Sequence, residues 1–204
     1  MIAIIDYGVG NLYSLSRSLE ALGLACRVIR EEAALCEVEK IILPGVGAFG
    51  DAMEKLAATG LIPALLARAA AGTPLLGICL GMQLLFEKSY EYGEHRGLGL
   101  LPGQVKALAE DLPQGLKVPH IGWNALNICR QCPLLSHVRE GDCVYYVHSY
   151  YGVGCEAETC ATSEYGVQVP GVVQRGNVFG VQFHPEKSGP VGLGILRAFG
   201  EVKA

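Results

Sequence analysis

A cysteine enclosed by glycines is the first residue in this sequence whose setting indicates chemistry. In Gly77-Ile78-Cys79-Leu80-Gly81 an apolar strand-like run enters the turn and an apolar helix-like run leaves it. This is the spacing of the strand–turn–helix elbow that exposes a nucleophile, here with cysteine in place of serine. A helix that begins after Cys79 places its positive end near the sulfur, which favours the reactive thiolate. We predict Cys79 as the nucleophile and the Leu80 N–H as an oxyanion donor, although the motif alone also fits a core cysteine at a strand end.

A histidine and a glutamate two residues apart supply the other members of a catalytic triad. The segment Phe183-His184-Pro185-Glu186 follows a strand-like run, so an extended backbone places the side chains of His184 and Glu186 on the same side. His184 can act as the general base for the thiol, and Glu186 can orient the imidazole and stabilise its cation. No acid stands two residues after the other histidines, which are His95, His120, His137 and His148.

A glycine-containing turn after another strand-like run is a candidate for the second oxyanion donor. Pro44-Gly45-Val46-Gly47 follows the run 40–43, and open α/β sheets bind their ligands at such strand ends. The backbone N–H groups of Val46 and Gly47 are the expected donors, although the segment alone also fits an ordinary turn. A phosphate loop is not expected, because no Gly-Lys-Ser/Thr follows.

These segments require a sheet whose strand ends meet at one edge, and strand-like and helix-like runs do alternate in the first half. The predicted strands there are Ile2–Ile5, Cys26–Ile29, 40–43 and 75–78, and the predicted helices are 11–22, 49–58, 61–71 and 80–88. Such alternation is typical of an open, mostly parallel sheet flanked by helices. The second half has strand-like runs at 118–121, 142–148, 172–174 and 178–183 and a last helix at 191–199. This half predicts antiparallel strands added to the sheet, and without a linker or repeat we expect residues 1–204 to form a single α/β domain.

The composition excludes several classes of function. Half of the 204 residues are hydrophobic and the formal net charge is −4, so the basic surface of a nucleic-acid-binding protein is missing. No uncharged apolar run of about 20 residues predicts a transmembrane helix, and the short apolar run at the N-terminus lacks the preceding positive charge of a signal peptide. We therefore expect a cytosolic globular protein with no membrane association.

Eight cysteines admit a second interpretation, a zinc site. Cys129 and Cys132 have the spacing of metal ligands, and Cys155 and Cys160 are available to complete a set. No second C-x-x-C pair is present, and free cysteine is a common core residue in reducing compartments. Incidental cysteines are therefore the better interpretation, and no metal or cofactor is expected.

Taken together, the motifs resemble the class I (triad) glutamine amidotransferases, and more closely the glutaminase subunits of imidazole glycerol phosphate synthase. The resemblance spans essentially the whole chain, and its most specific stretches are 5–12 and 119–124. It implies the class I glutamine amidotransferase fold and hydrolysis of glutamine to glutamate and ammonia through the triad. It also implies that Gln83 and the backbone near Ser149 and Tyr150 hold the glutamine.

A partner protein is expected to receive the ammonia. Ammonia released into water is protonated and is then no longer a nucleophile, and the chain shows no phosphate site for an acceptor of its own. The resemblance implies a heterodimer with a (β/α)₈-barrel cyclase, which forms imidazole glycerol phosphate and aminoimidazole carboxamide ribotide in histidine biosynthesis. The interface residues implied by the resemblance are Asn11, Trp123, Tyr145 and Lys187, with ordinary surface or core packing as the alternative for each. Trp123 is the single tryptophan of the chain, and tryptophan is enriched at interface hot spots.

The residues alone are also compatible with two other functions. A cysteine peptidase or esterase of the same fold would turn over peptides or esters without a partner. A regulatory subunit without glutaminase activity would lack a triad member, and none is missing here.

Overall fold

A central eight-stranded sheet runs through the structure, a computed structural model that describes residues 1–203. The strands are β1 (Ile2–Ile5), β2 (Cys26–Ile29), β3 (Lys40–Gly45), β4 (Leu75–Cys79), β5 (Lys88–Ser89), β6 (His95–Arg96), β7 (Gln104–Ala107), β8 (His120–Ala125), β9 (Asn127–Ile128), β10 (Cys143–His148), β11 (Tyr150–Val153), β12 (Thr159–Glu164), β13 (Gln168–Arg175) and β14 (Val178–Val181). The helices are α1 (Leu12–Ala21), α2 (Glu32–Leu35), α3 (Phe49–Ala58), α4 (Ile62–Ala70), α5 (Leu80–Leu84) and α6 (Gly189–Glu201). Short 3₁₀ turns cover Leu108–Glu110, Pro133–Leu135 and Pro185–Lys187.

The strand order of the central sheet is β2-β1-β3-β4-β14-β13-β12-β9. The first five strands in this order are parallel to one another, and β13, β12 and β9 continue the sheet in antiparallel pairs. The predicted open, mostly parallel sheet with antiparallel additions is therefore confirmed. The second half also forms two small sheets that the sequence did not predict, β10-β8 and β11-β7-β5-β6.

Helices cover both faces of the parallel strands, which explains why these strands are continuous apolar runs. Successive side chains of a strand point to opposite faces. In β1, Ala3 and Ile5 join the core formed with α3 and α4, whereas Ile2 and Ile4 join the core formed with α1 and α6. The site must therefore lie at the ends of these strands rather than on a face.

The prediction of a helix over 80–88 is wrong beyond Leu84, where α5 ends. Carbonyl groups that would continue the helix accept hydrogen bonds from the loop 97–101 instead. Leu84 O accepts from the Leu98 N–H at 2.8 Å, and Leu85 O accepts from the N–H groups of Leu100 and Leu101 at 2.8 and 2.9 Å. The sequence of α5 did not show this because the competing donors lie more than a dozen residues away.

Most other boundaries differ by a few residues. Strand β3 continues to Gly45, and β13 is longer at both ends than the predicted 172–174. The strand predicted at 118–121 begins at His120 and continues to Ala125, and α6 exceeds the predicted 191–199 at both ends. Within residues 1–203, no helix has the length and apolar character needed to cross a membrane.

The turn from β4 into α5 is packed tightly against β3. A Cβ atom at Gly81 would lie 1.8 Å from Leu43 O, and one at Gly77 would lie 2.6 Å from Gly81 O. Both contacts are with backbone atoms, which cannot rotate away. These two positions therefore admit only glycine.

Replacing Gly81 by alanine is expected to lower the free energy of unfolding by about 3 kcal/mol or more, because the contact requires β3 or α5 to shift. Gly60→Ala is the matched control: Gly60 has φ +72° but no atom within 4 Å of the added Cβ. The free energy of unfolding of Gly60→Ala should fall by only about 1 kcal/mol, because alanine is disfavoured at this left-handed backbone conformation. Urea denaturation measures both. Equal losses in the two variants would contradict the steric argument.

Candidate active site

Cys79 lines a cavity of about 370 Å³ at the carboxyl ends of the parallel strands. Its backbone has φ +53° and ψ −111°, a conformation that residues other than glycine rarely adopt. Such strain persists where surrounding structure enforces it, and it is concentrated at functional sites. The residue is 6% exposed and lines this cavity.

His184 and Glu186 lie together beside Cys79. His184 Nδ1 is 2.9 Å from Glu186 Oε1, and each side chain is 3% exposed. Burial alone would lower the pKa of His184, but the Cys79 sulfur and the Glu186 carboxylate both interact with the ring and raise its pKa to about 10. Because Nδ1 faces the glutamate, Nε2 is the nitrogen available to the sulfur. The three residues predicted as a triad are thus brought together.

Glu186 has one oxygen in contact with His184 and one without a hydrogen-bond partner among the described residues. That second oxygen, Oε2, is fully buried. Glu186 lines a small cavity of about 10 Å³ together with Asn11, Gly45 and His184 among others. This volume is close to the smallest that holds one water molecule. Asn11, predicted at the partner interface, therefore also lies behind the triad.

The turn after β3 reaches Cys79 because the two strands are neighbours. Gly45 pairs with Cys79 in the parallel register, so the following Val46 and Gly47 lie beside Leu80 and line the same cavity. A Cβ at Gly45 would lie 2.7 Å from Gly81 N, which shows how closely the two turns approach. All three predicted oxyanion donors are therefore at the cavity.

The predicted glutamine-binding residues also line this cavity: Gln83, Ser149 and Tyr150. Gln83 is 4% exposed, and its Nε2 donates to Tyr150 O at 2.9 Å and to Gln182 Oε1 at 3.1 Å. Both amide hydrogens are thereby used within the protein. Only Oε1 of Gln83 remains to interact with a ligand.

Glu91 also lines this cavity, although no sequence motif indicated it. It is 8% exposed, and its Oε2 accepts the Phe49 N–H at the start of α3 at 2.6 Å. Burial raises its pKa, opposed by the Phe49 N–H and the charge of His95. In the sequence nothing distinguishes Glu91 from the neighbouring Glu87 and Glu94; only the fold turns it inward.

The remaining predicted interface residues lie around the segment that carries His184. Trp123 is 58% exposed, and its ring meets that of Tyr145 edge-on with a centroid distance of 6.1 Å. Tyr145 O accepts the His184 N–H at 3.0 Å, and Lys187 lines the same cavity as Cys79.

All eight cysteines are free, and residues 1–203 contain no group of three or more His, Cys, Asp or Glu side chains arranged to hold a metal ion.

The chain is similar to known proteins over nearly its full length. The family model described as "Glutamine amidotransferase class-I" matches residues 3–200. A relative from Geobacillus thermodenitrificans, named imidazole glycerol phosphate synthase subunit HisH, is 54% identical over 202 residues, covering 98% of this chain and 94% of the relative. A relative of the same name from Bacillus cytotoxicus is 50% identical over 199 residues, covering 98% and 93%.

Solved structures share the fold at low sequence identity. A crystal structure described as a glutamine amidotransferase has a TM-score of 0.76 at 20% identity and covers 98% of this chain and 100% of its own. The structure of PurLQS from Thermotoga maritima has a TM-score of 0.76 at 20% identity and covers 97% and 96%. At this identity the likeness supports the fold alone.

The His184 ring is expected to be charged at neutral pH. Its pKa of about 10 exceeds the value of about 6.5 for an unfolded histidine, so folding stabilises the cation. This contribution to stability is complete below about pH 6.5 and is lost as the pH rises through about 10.

Ring-proton NMR should show a charged His184 at pH 7.5. Glu186→Gln should lower the titration midpoint of His184, because the carboxylate charge is removed. His120, whose pKa burial lowers to about 4, is the internal control and should be neutral. A wild-type His184 that titrates below pH 7 would contradict this assignment.

Proposed function

The chain belongs to the class I glutamine amidotransferase family, and within it to the glutaminase subunits of imidazole glycerol phosphate synthase; we propose that Cys79, His184 and Glu186 carry out its glutamine hydrolysis. The contact of the His184 ring with Glu186, at a cavity that His184 and Cys79 both line, is the observation that carries this proposal. A sulfur nucleophile, an imidazole and an orienting carboxylate in this order form the arrangement required for nucleophilic catalysis.

In the first step the Cys79 thiolate attacks the side-chain carbonyl carbon of glutamine. The carbonyl oxygen becomes an oxyanion, which the Leu80 N–H and an N–H of Val46 or Gly47 stabilise. His184 then gives its proton to the departing amide nitrogen, so the C–N bond breaks and ammonia leaves. Glu186 stabilises the imidazolium before this transfer and holds the neutral ring in its orientation afterwards.

In the second step water hydrolyses the thioester. Neutral His184 removes a proton from the water as it attacks the carbonyl carbon, and the same N–H groups stabilise the second oxyanion. The C–S bond breaks, glutamate forms, and Cys79 returns to the thiolate beside a protonated His184. The raised pKa of His184 means that its ring is protonated at neutral pH before each turnover.

The buried carboxylate of Glu91 suits the α-ammonium group of glutamine. It faces the cavity from the side of α3, and a single N–H of Phe49 leaves part of its negative charge unbalanced. Gln83 Oε1 and the backbone of Ser149 and Tyr150 provide further polar contacts in the same cavity. The α-ammonium group of a free amino acid balances the buried charge of Glu91. An uncharged peptide nitrogen at the same position would not.

The ammonia is delivered to a cyclase partner, because the relatives are named as subunits of a synthase. We propose a (β/α)₈-barrel cyclase in a heterodimer, with Asn11, Trp123, Tyr145 and Lys187 at the interface. The exposure of Trp123 beside the segment 184–187 supports a partner that covers this face. We further propose that residues 1–204 act as one domain and that the complex works in the cytoplasm, in histidine biosynthesis.

Cys79→Ala is expected to abolish glutamine-dependent synthesis by the complex of this chain with its cyclase, because no thioester can form. Synthesis from added ammonium salts should continue at the wild-type rate. Cys143→Ala, which changes an exposed cysteine, is the control and should retain both activities. Residual glutamine-dependent activity above about one thousandth of wild type in Cys79→Ala would rule out this nucleophile.

Glu91→Gln is expected to raise the KM for glutamine about 10- to 100-fold with a smaller change in kcat, because a charge-assisted contact with the ammonium group is lost. The amide oxygen still accepts the Phe49 N–H, so α3 keeps its first hydrogen bond. Glu94→Gln is the matched control, since Glu94 is exposed and pairs only with Lys88 at 3.7 Å. Steady-state kinetics would count against the role of Glu91 if both variants had the wild-type KM.

A further inference from the structure

We propose that Gln182 is a catalytic residue that donates a side-chain N–H to the Cys79 sulfur and stabilises its thiolate. This inference rests on the proposed function, in which Cys79 is the nucleophile. Gln182 Nε2 lies 3.8 Å from Cys79 Sγ, within hydrogen-bonding range for sulfur, and Gln182 is 0% exposed. Its side chain has no route to solvent and touches the reacting atom directly.

The backbone carbonyl of Tyr150 determines which atom of the Gln182 side-chain amide faces the sulfur. Exchanging the oxygen and nitrogen of an amide reverses donor and acceptor, so neighbours must determine the orientation. Tyr150 O can only accept, and the Gln83 atom 2.9 Å away must therefore be its NH₂ group. The same NH₂ lies 3.1 Å from the Gln182 amide, so that contact is made by the Gln182 oxygen. The NH₂ of Gln182 is left facing the sulfur.

Two neutral histidines hold the Tyr150 carbonyl in place. His148 Nδ1 lies 2.9 Å from Tyr150 O and must carry a hydrogen, so its Nε2 accepts from His120 Nδ1 at 3.0 Å. His120 Nε2 in turn faces the Asn124 amide at 3.4 Å. Burial lowers the pKa of His120 to about 4 and that of His148 to about 3, so each ring keeps one proton and one fixed role at neutral pH.

The donor matters because the sulfur has few other sources of stabilisation. Helix α5 has only five residues, so its dipole is smaller than that of the longer helix predicted from the sequence. An amide N–H gains little from a neutral thiol but forms a charge-assisted hydrogen bond with a thiolate. The contact therefore favours the ionised, nucleophilic form of Cys79 in addition to the effect of the His184 cation.

Gln182→Met removes the N–H at similar side-chain volume. In the full chain at pH 7, we expect alkylation of Cys79 by iodoacetamide, followed by mass spectrometry of its peptide, to slow about tenfold or more. In the complex with the cyclase, kcat for glutamine should fall by a similar factor, with a smaller change in KM. Gln174→Met is the matched control, because Gln174 is only half-buried on β13 and its amide donates to Gly176 O at 3.0 Å. This control should react at the wild-type rate.

The direction in which the alkylation rate of Cys79 changes distinguishes a thiolate donor from a merely structural glutamine. A loosened fold would expose the sulfur, so Cys79 and the buried Cys132, Cys155 and Cys160 would all react faster. Unchanged or faster alkylation of Cys79 in a folded Gln182→Met chain overturns the proposal. If that variant does not fold, the side-chain amide resonances of Gln182 decide: they should shift between wild type and Cys79→Ala, and identical resonances overturn the proposal.

The same assays distinguish this inference from the function on which it rests. A Cys79→Ala chain that still hydrolyses glutamine would refute the proposed function. An inactive Cys79→Ala chain, together with a Gln182→Met chain of wild-type reactivity, would refute only the role of Gln182.

Discussion

The left-handed backbone of Cys79 is the constraint on which the rest of the site depends. A residue other than glycine stays at φ +53° and ψ −111° only where its surroundings leave no alternative. Here β4 is fixed on both sides by parallel pairing with β3 and β14, and Gly81 allows α5 to begin against the Leu43 carbonyl. The chain must therefore turn sharply at Cys79, which places the sulfur at the carboxyl edge of the sheet rather than in the core.

The strand order then explains how distant segments meet. Because β3 and β14 flank β4, the segments that follow these two strands emerge on either side of Cys79. Gly45 pairs with Cys79 and leads into the oxyanion turn, while Val181 pairs with Ile78 and leads to Gln182 and His184. Gln182 and Cys79 are 103 residues apart in sequence, yet they meet because parallel strands end at the same edge.

The sequence predicted those parts of the site that have a local signature. The glycines around Cys79 and the spacing of His184 and Glu186 reflect the backbone at each segment itself, so they can be read without the fold. Glu91 and the direction of the Gln182 amide have no such signature, because both depend on groups brought in from other elements. The early end of α5 was missed for the same reason: hydrogen bonds from the loop 97–101, not local propensity, end this helix.

Three histidines near the cavity differ in charge because their partners differ. His148 and His120 bond to each other, to a carbonyl and to an amide, and none of these partners balances a positive charge; burial therefore keeps both rings neutral. His184 is equally buried but faces a carboxylate and a sulfur, which stabilise its cation. Environments that push the pKa values of neighbouring groups apart assign their roles in catalysis. One histidine can thus exchange protons with substrate, while the other two can serve only as fixed hydrogen-bonding groups that hold the Tyr150 carbonyl.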